Sequence, residues 1–398
     1  MNSSFRTLDH ADVKGKRVLV RADLNVPVEN GIVTDATRIE RMAPAILEIA
    51  DKGAKVILLS HFGRPKGRDP KLSLKPVAAE VAHTLKRPVK FVDDCIGAAA
   101  ERAVAEMKPG DILCLENTRF HPGEEKNDSI FVAALARLGD IFVNDAFSVS
   151  HRAHASTEGL AQRLPAFAGR TLQAELEAFE KALDKPARPL TAIVGGAKIS
   201  TKLDLLGHLL KKVDVLIVGG AMANTFLLAL NKRIGKSLVE RDLIETAQKI
   251  LDEAKAAKRE IVLPVDAVVA EKFEANAHSR VVDVDHIGDK DMILDIGPRS
   301  IEQAISVLAR SKTLVWNGPF GAFEMKPFDT GTVEVAEAAA ELTAAGKLVS
   351  VAGGGDTVAA LNVAGVVDRL SYVSTAGGAF LEWLEGKPLP GVEVLRVR

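Results

Sequence analysis

Short apolar runs that stop at glycine recur along the second half of this chain, and a helical pattern follows each of them. Thr191 to Val194 runs into Gly195 and Gly196, Val215 to Val218 into Gly219 and Gly220, and Leu314 to Trp316 into Asn317, Gly318 and Pro319. Near the carboxyl end another run stops at Gly353, Gly354 and Gly355, followed by Asp356, Thr357 and the helix-forming stretch Val358 to Leu361. Buried strands that turn on glycine into helices build a parallel sheet, and open sheets of that kind place ligands outside the carboxyl ends of their strands. The runs keep no fixed period, so this is not a repeat array.

The last of these turns has the chemistry of a nucleotide phosphate site. Glycine lets phosphate oxygens approach backbone N–H groups, and the positive end of the next helix dipole stabilises the negative charge. Asp356 is placed to hold a magnesium ion beside those phosphates; the lesser alternative is an N-cap in a tight strand-to-helix turn. Lys198 and Lys202 follow the first glycine pair at i, i+4 spacing, and on a helix beginning there they would share a face near its positive end. Neither common nucleotide signature is present. Gly235, Lys236 and Ser237 mimic the end of a P-loop, but Leu230 stands where its upstream glycine belongs, and no GxGxxG opens a helix.

With 398 residues the chain is expected to form more than one domain. The formal net charge of −1 gives no global field for nucleic acid or an anionic membrane, so any basic site must be local. Cys95 and Cys114, in a sequence without a signal segment or a membrane-length apolar run, read as free thiols of a cytosolic protein.

The first half also alternates strands and helices. Arg17 to Val20, Lys55 to Leu59, Val89 to Val92, Ile112 to Leu115 and Ile141 to Val143 read as buried strands. An uninterrupted helix is expected from Leu172 to Leu183, ended by Pro186 and Pro189, before a second strand–helix series begins. The fold class is therefore α/β, with two doubly wound parallel-sheet domains facing across a cleft and joined by that helix; one long sheet is the alternative.

Polar residues gather behind the first-half strands. Asp23 and Asn25 follow the first, His61 and Arg64 the second, Asn117 and Arg119 the fourth, and Asp145, His151, Arg152 and His154 the fifth, while Arg38 lies near the start of a helix. Parallel strands bring these positions together into a pocket rich in arginine and histidine, suited to a small acid bearing phosphate. His151 and His154 have a metal-like spacing but no third ligand of matching pattern, so a structural or anion-contact role is preferred.

Together these residues resemble the phosphoglycerate kinase family over essentially the whole chain. VRADLNVP, SHFGRP, LENTRFH and VNDAF with HRAH carry the resemblance in the first half, and GGAKISTK, WNGPFGAFE, GGGDT and LEGKPLPGV in the second. The resemblance implies that the amino-terminal domain binds 3-phosphoglycerate or 1,3-bisphosphoglycerate through Asp23, Asn25, Arg38, His61, Arg64, Arg119 and Arg152. It implies that the other domain binds magnesium ADP or ATP through Lys198, Lys202, Asn317, Glu324, Gly354, Gly355, Asp356 and Thr357, with Glu324 on the ribose and Asp356 on Mg2+. Catalysis would fall to Arg38, Lys198, Gly354 and Gly355, by direct transfer after the domains close. The family also folds its last residues back onto the first domain, giving expected domains of 1–171 plus 379–398 and 172–378, with the joint helix at about 172–184. A monomer, with no nucleic-acid or membrane partner, is the family expectation.

Two positions depart from the family pattern. Ala376 stands at a usual glycine, where a methyl would crowd a phosphate if the backbone needed a positive φ, and Phe147 to Ser150 replaces the usual glycine and threonine before HRAH. Another carboxylate kinase is the nearest rival reading. A dehydrogenase lacks its glycine fingerprint here, and a phospho-ligand sensor would need the same binding motifs.

Overall fold

The computed structural model describes residues 4–397, and the chain divides into two compact units. One comprises Met1–Leu176 with Pro388–Arg398, the other Glu177–Lys387. The chain returns to the first unit at Pro388, later than the expected 379, because the helix Gly378–Leu384 packs in the second unit, where Phe380 is buried beside Phe179 and Trp383.

The first unit holds a six-stranded parallel sheet in the order Val89–Val92, Ile112–Leu115, Lys55–Leu59, Arg17–Arg21, Ile141–Asn144, Ala166–Ala168. The chain starts at the inner strand Arg17–Arg21, adds Lys55–Leu59 beside it, goes to the edge at Val89–Val92 and returns to place Ile112–Leu115 between those two, then crosses to Ile141–Asn144 on the other side. Their shared carboxyl edge is a topological switch point. Helix Thr37–Asp51 covers the sheet with Ile39, Met42, Ala43, Ile46, Ile49 and Ala50, a spacing that puts one apolar stripe against the strands. Its start is fixed by Asp35, whose carboxylate accepts from Thr37 N at 2.9 Å, and Gly53 at φ 81° turns the chain away beyond its end.

The second unit repeats the plan, with strands Glu260–Val262, Val215–Val218, Leu190–Val194, Thr313–Asn317, Val349–Gly353 and Tyr372–Ser374 in that order, all parallel. Its switch point lies between Leu190–Val194 and Thr313–Asn317. A three-stranded antiparallel sheet, Ser279–Asp283, Asp266–Ala270 and Met292–Ile296, is an addition the glycine-turn pattern does not announce.

The expected uninterrupted α-helix is α-helical only over Arg170–Phe179 and continues as a π-helical turn, Glu180–Asp184. Within that wider turn Ala182 and Leu183 are buried. No helix among the described residues is long and apolar enough to cross a membrane.

Candidate active site

Each unit carries one constellation at the carboxyl edge of its parallel sheet. In the first, Arg38 sits in the opening turn of its helix and reaches back to the loop behind Arg17–Arg21. Its Nη1 donates to the Asp23 carboxylate at 3.0 and 3.2 Å and to the Asn25 carbonyl at 3.2 Å. Asn25 Oδ1 accepts from Gly63 N at 2.9 Å, and the Gly63 carbonyl accepts from Arg119 Nη1 at 2.8 Å. Three loops, behind three different strands, are thus stitched together. Arg119 also faces Glu125 at 3.2 Å, and Asn117 clamps the next loop by accepting from Phe62 N at 3.1 Å and donating to the Phe62 carbonyl at 2.7 Å.

Beneath this surface lies a residue the motifs quoted above contain but the site reading passed over. Arg21, fully buried at the end of its strand, donates from Nη2 to His61 Nδ1 at 3.0 Å, from Nε to Ser156 Oγ at 2.8 Å and from Nη1 to the Ala22 carbonyl at 2.6 Å. Ser156 in turn donates to the buried Glu124 carboxylate. The available signal was a charge closing an otherwise apolar run, Arg-Val-Leu-Val-Arg. Ser148 is a second omission. Its hydroxyl donates to Asp23 at 2.8 Å, so the stretch Phe147 to Ser150 that departs from the family pattern steadies the site.

Charge in the pocket is strongly positive. Burial, then Arg21 and Arg119, hold the His61 imidazole well below its ordinary pKa, and burial with Arg119, Arg21 and Arg152 brings His154 down to about 4. Both rings are therefore neutral near pH 7. Arg152 is exposed, with Nε 3.2 Å from His151 Nε2, and Arg64 is exposed without a hydrogen bond or ion pair among the described residues. The charges of both act on Arg119, whose pKa is lowered chiefly by burial. Asp145 is not part of this surface. Its carboxylate accepts from Leu172 N at 2.9 Å and Thr171 Oγ1 at 3.2 Å, capping helix Arg170–Phe179, and burial raises its pKa to about 6.

In the second unit the glycines are explained by close backbone approach. A Cβ on Gly195 would strike the Pro319 carbonyl, and one on Gly354, at φ 100°, would lie 2.5 Å from Asn317 Nδ2. Asn317 accepts from the Lys202 ammonium and donates to the Gly353 carbonyl at 2.8 Å, while Thr357 Oγ1 accepts from Gly318 N at 2.7 Å. Lys202, Asn317, Gly354 and Thr357 therefore form one connected edge. Gly355 opens helix Gly355–Val363 and is exposed, and a Cβ there would meet nothing within 4 Å, while the first amides of that helix have no partner within the helix. Burial lowers the Lys202 pKa, and the Asp356 carboxylate opposes that effect, which puts Asp356 within electrostatic reach of the ammonium.

Three expectations for this unit need correction or limits. Helix Leu203–Lys212 begins after both lysines, so Lys198 and Lys202 do not share a helical face. Gly196 at φ 131° opens the turn, Lys202 N bonds the Ile199 carbonyl at 2.8 Å, and Ser200 is tied to Glu240, which carries Lys198 to an exposed position acting on Glu240. Glu324 is exposed in the turns after Phe323, with no side-chain hydrogen bond or ion pair joining it to the other predicted residues among the described residues. Ala376 is buried without a positive φ; the left-handed residue is Gly377, at φ 53°, so the extra methyl brings no backbone strain.

The phosphoglycerate kinase family model matches residues 8–387. A phosphoglycerate kinase of Rhodopseudomonas palustris is 66% identical over 398 residues, covering 100% of both chains, and one of Bradyrhizobium diazoefficiens is 65% identical over the same length and coverage. The solved structure of phosphoglycerate kinase from Coxiella burnetii superposes with a TM-score of 0.91 at 41% identity, covering 98% of each chain. Matches of this extent, on a chain whose two sheet edges carry these side chains, lead to one conclusion: the chain belongs to the phosphoglycerate kinase family.

Proposed function

We propose that the arginine-rich edge of the first unit binds the phosphoglycerate and that the glycine-rich edge of the second binds the nucleotide. The reaction is the family's: reversible transfer of the acyl phosphate of 1,3-bisphosphoglycerate to ADP, giving 3-phosphoglycerate and ATP. The observation that carries the acid-site reading is the linked chain Arg38, Asp23, Asn25, Gly63 and Arg119, which fixes two guanidinium groups on one sheet edge. Guanidinium forks match carboxylate and phosphate oxygens. His61, Arg64 and Arg152 complete the acid contacts. In the second unit Lys198, Lys202 and Asn317, the amides of Gly354 and Gly355, and Thr357 take the nucleotide phosphates, with Glu324 on the ribose.

Direct transfer suits this site. The nucleophile is already a carboxylate or phosphate oxygen, so no general base is needed, and catalysis rests on alignment and on balancing charge at the transferring phosphoryl. We assign that balance to Arg38, Lys198 and the amides of Gly354 and Gly355. The Asp356 carboxylate is exposed and makes no hydrogen bond or ion pair among the described residues, which suits a single carboxylate sharing magnesium with water and substrate phosphate. Bound there, Mg2+ would neutralise phosphate charge. Ligands held on separate units react only when brought together, so closure is assigned to a bend along residues 172–184. The enzyme is read as a cytoplasmic monomer without nucleic-acid or membrane partners.

The test is ATP formation from 1,3-bisphosphoglycerate and magnesium ADP, with acetyl phosphate and carbamoyl phosphate as rival donors. Turnover with the first alone is expected. Preference for a rival would overturn the acid pocket while leaving the nucleotide edge intact.

A further inference from the structure

On the first unit, apart from the residues assigned to the acid pocket, Asp94, Cys95 and His121 each bring one ligand atom to a common point, all within 4.8 Å of one another. Asp94 and Cys95 lie in the turn before helix Gly97–Ala105, and His121 ends the turn Thr118–Phe120 that carries Arg119. The parts are held in place. Asp94 Oδ1 accepts from Cys95 N at 2.7 Å and meets His121 Nε2 at 2.7 Å, and the His121 ring stacks on Phe131 with centroids 5.1 Å apart.

The thiol is the informative member. Cys95 is fully buried, and its sulfur lies within 4.8 Å of an imidazole nitrogen and a carboxylate oxygen. Cys114, equally buried, donates to the Leu115 carbonyl at 3.7 Å and belongs to no such group of three among the described residues. Burial and the neighbouring Asp94 charge raise the Cys95 pKa well above its ordinary value, so without a cation it remains a thiol. A bound dication would reverse that.

We propose that Asp94, Cys95 and His121 form a binding site for a divalent cation of the zinc class, with a fourth position open to water. One thiolate, one imidazole and one carboxylate are the donors that such ions select over magnesium. Tetrahedral bonds of about 2.0 Å to nitrogen and oxygen and about 2.3 Å to sulfur put ligand atoms about 3.3–3.5 Å apart. Admitting the ion therefore opens the His121–Asp94 contact by roughly half an ångström and draws the sulfur in. Cys95 loses its proton to solvent as the metal–sulfur bond forms, His121 ligates through the lone pair of a neutral imidazole, and two negative ligands balance the dication. A cavity of about 1010 Å³ is lined by Asp93 and Phe120, the chain neighbours of Asp94 and His121, and by Arg68. Arg68, whose Nη1 lies 3.8 Å from Asp94 Oδ2, is the cation the metal would displace.

Cobalt(II) is the probe, because thiolate ligation gives it a charge-transfer absorption. Titration of the metal-stripped full-length chain should saturate that band at one equivalent, with Mg2+ in excess leaving it unchanged and Zn2+ abolishing it. The band should vanish in Cys95→Ser, persist in Cys114→Ser, and need about tenfold or more cobalt in His121→Ala. Circular dichroism shows whether each variant is folded. Absence of the band from the wild-type chain, its survival in folded Cys95→Ser, or its loss in folded Cys114→Ser would overturn the site.

Discussion

Arg21 Nη2 lies 3.0 Å from His61 Nδ1, and this contact decides which ring nitrogen of His61 carries the proton. A guanidinium offers hydrogens and no lone pair, so Nδ1 accepts and the neutral ring bears its hydrogen on Nε2. Because burial and Arg21 together keep the ring uncharged, His61 can give an anionic ligand a directed hydrogen bond and no net charge.

Replacing His61 by Gln keeps an N–H donor near the Nε2 position, whereas Asn offers one only near Nδ1. Steady-state kinetics should show KM for 3-phosphoglycerate rising by less than about tenfold in His61→Gln and by about tenfold to a hundredfold in His61→Asn, as expected for a bond to a charged group worth about 1.5–3 kcal/mol. Equal losses in the two variants would contradict the assigned donor.

Arg38→Ala should lower turnover by about 10³ to 10⁵, the range seen when a cation acting on a transferring phosphoryl is removed. The fold should persist, because Asp23 keeps its bond from Ser148. Near-normal kcat in a folded variant would reject the role given to Arg38.

For Asp356→Asn, calorimetry should show magnesium ADP binding weakened by about tenfold or more, ~1.4 kcal/mol, with metal-free ADP little changed. An unchanged magnesium ADP isotherm would remove Asp356 from the metal site.

Asp295 gives the second unit a pH dependence. Burial, reinforced by Asp329 and Glu334, raises its pKa to about 8 against the bonds it accepts from Gly331 N and Ile296 N. Between about pH 4 and 8 the unfolded chain releases this proton while the folded chain keeps it. This group's contribution to stability therefore falls as pH rises, by at most about 1.4 kcal/mol per pH unit, and levels off above that window. Urea unfolding at several pH values, wild type minus Asp295→Asn, isolates the effect; a flat difference would show that Asp295 does not titrate in this way.

The central strands were legible because each is a dense apolar run ended by glycine or a polar cluster: Lys55–Leu59, Ile112–Leu115 and Val215–Val218 have the bounds their sequence suggests. Ala166–Ala168, Glu260–Val262 and Tyr372–Ser374 were not, since three-residue edge strands carry almost no periodic signal. The same distinction runs through the site. Asp23, Asn25, Arg38 and Arg119 converge because parallel strands align their ends, a rule that needs no coordinates. Lys198 and Lys202 were misplaced because spacing on an assumed helix says nothing about where that helix starts. Arg21 was passed over because its partners, His61 and Ser156, are distant in sequence.

The tail of the chain completes the unit that the ribosome makes first. Arg6 N bonds the Leu395 carbonyl at 2.9 Å, Gly391 N bonds the Ser150 carbonyl at 2.9 Å, and Asn144 Nδ2 reaches the Gly391 carbonyl at 3.0 Å. Residues 388–397 are synthesised only after the whole of Glu177–Lys387. The first unit therefore cannot be completed until the whole of the second has been synthesised, so a segment begun first is closed last.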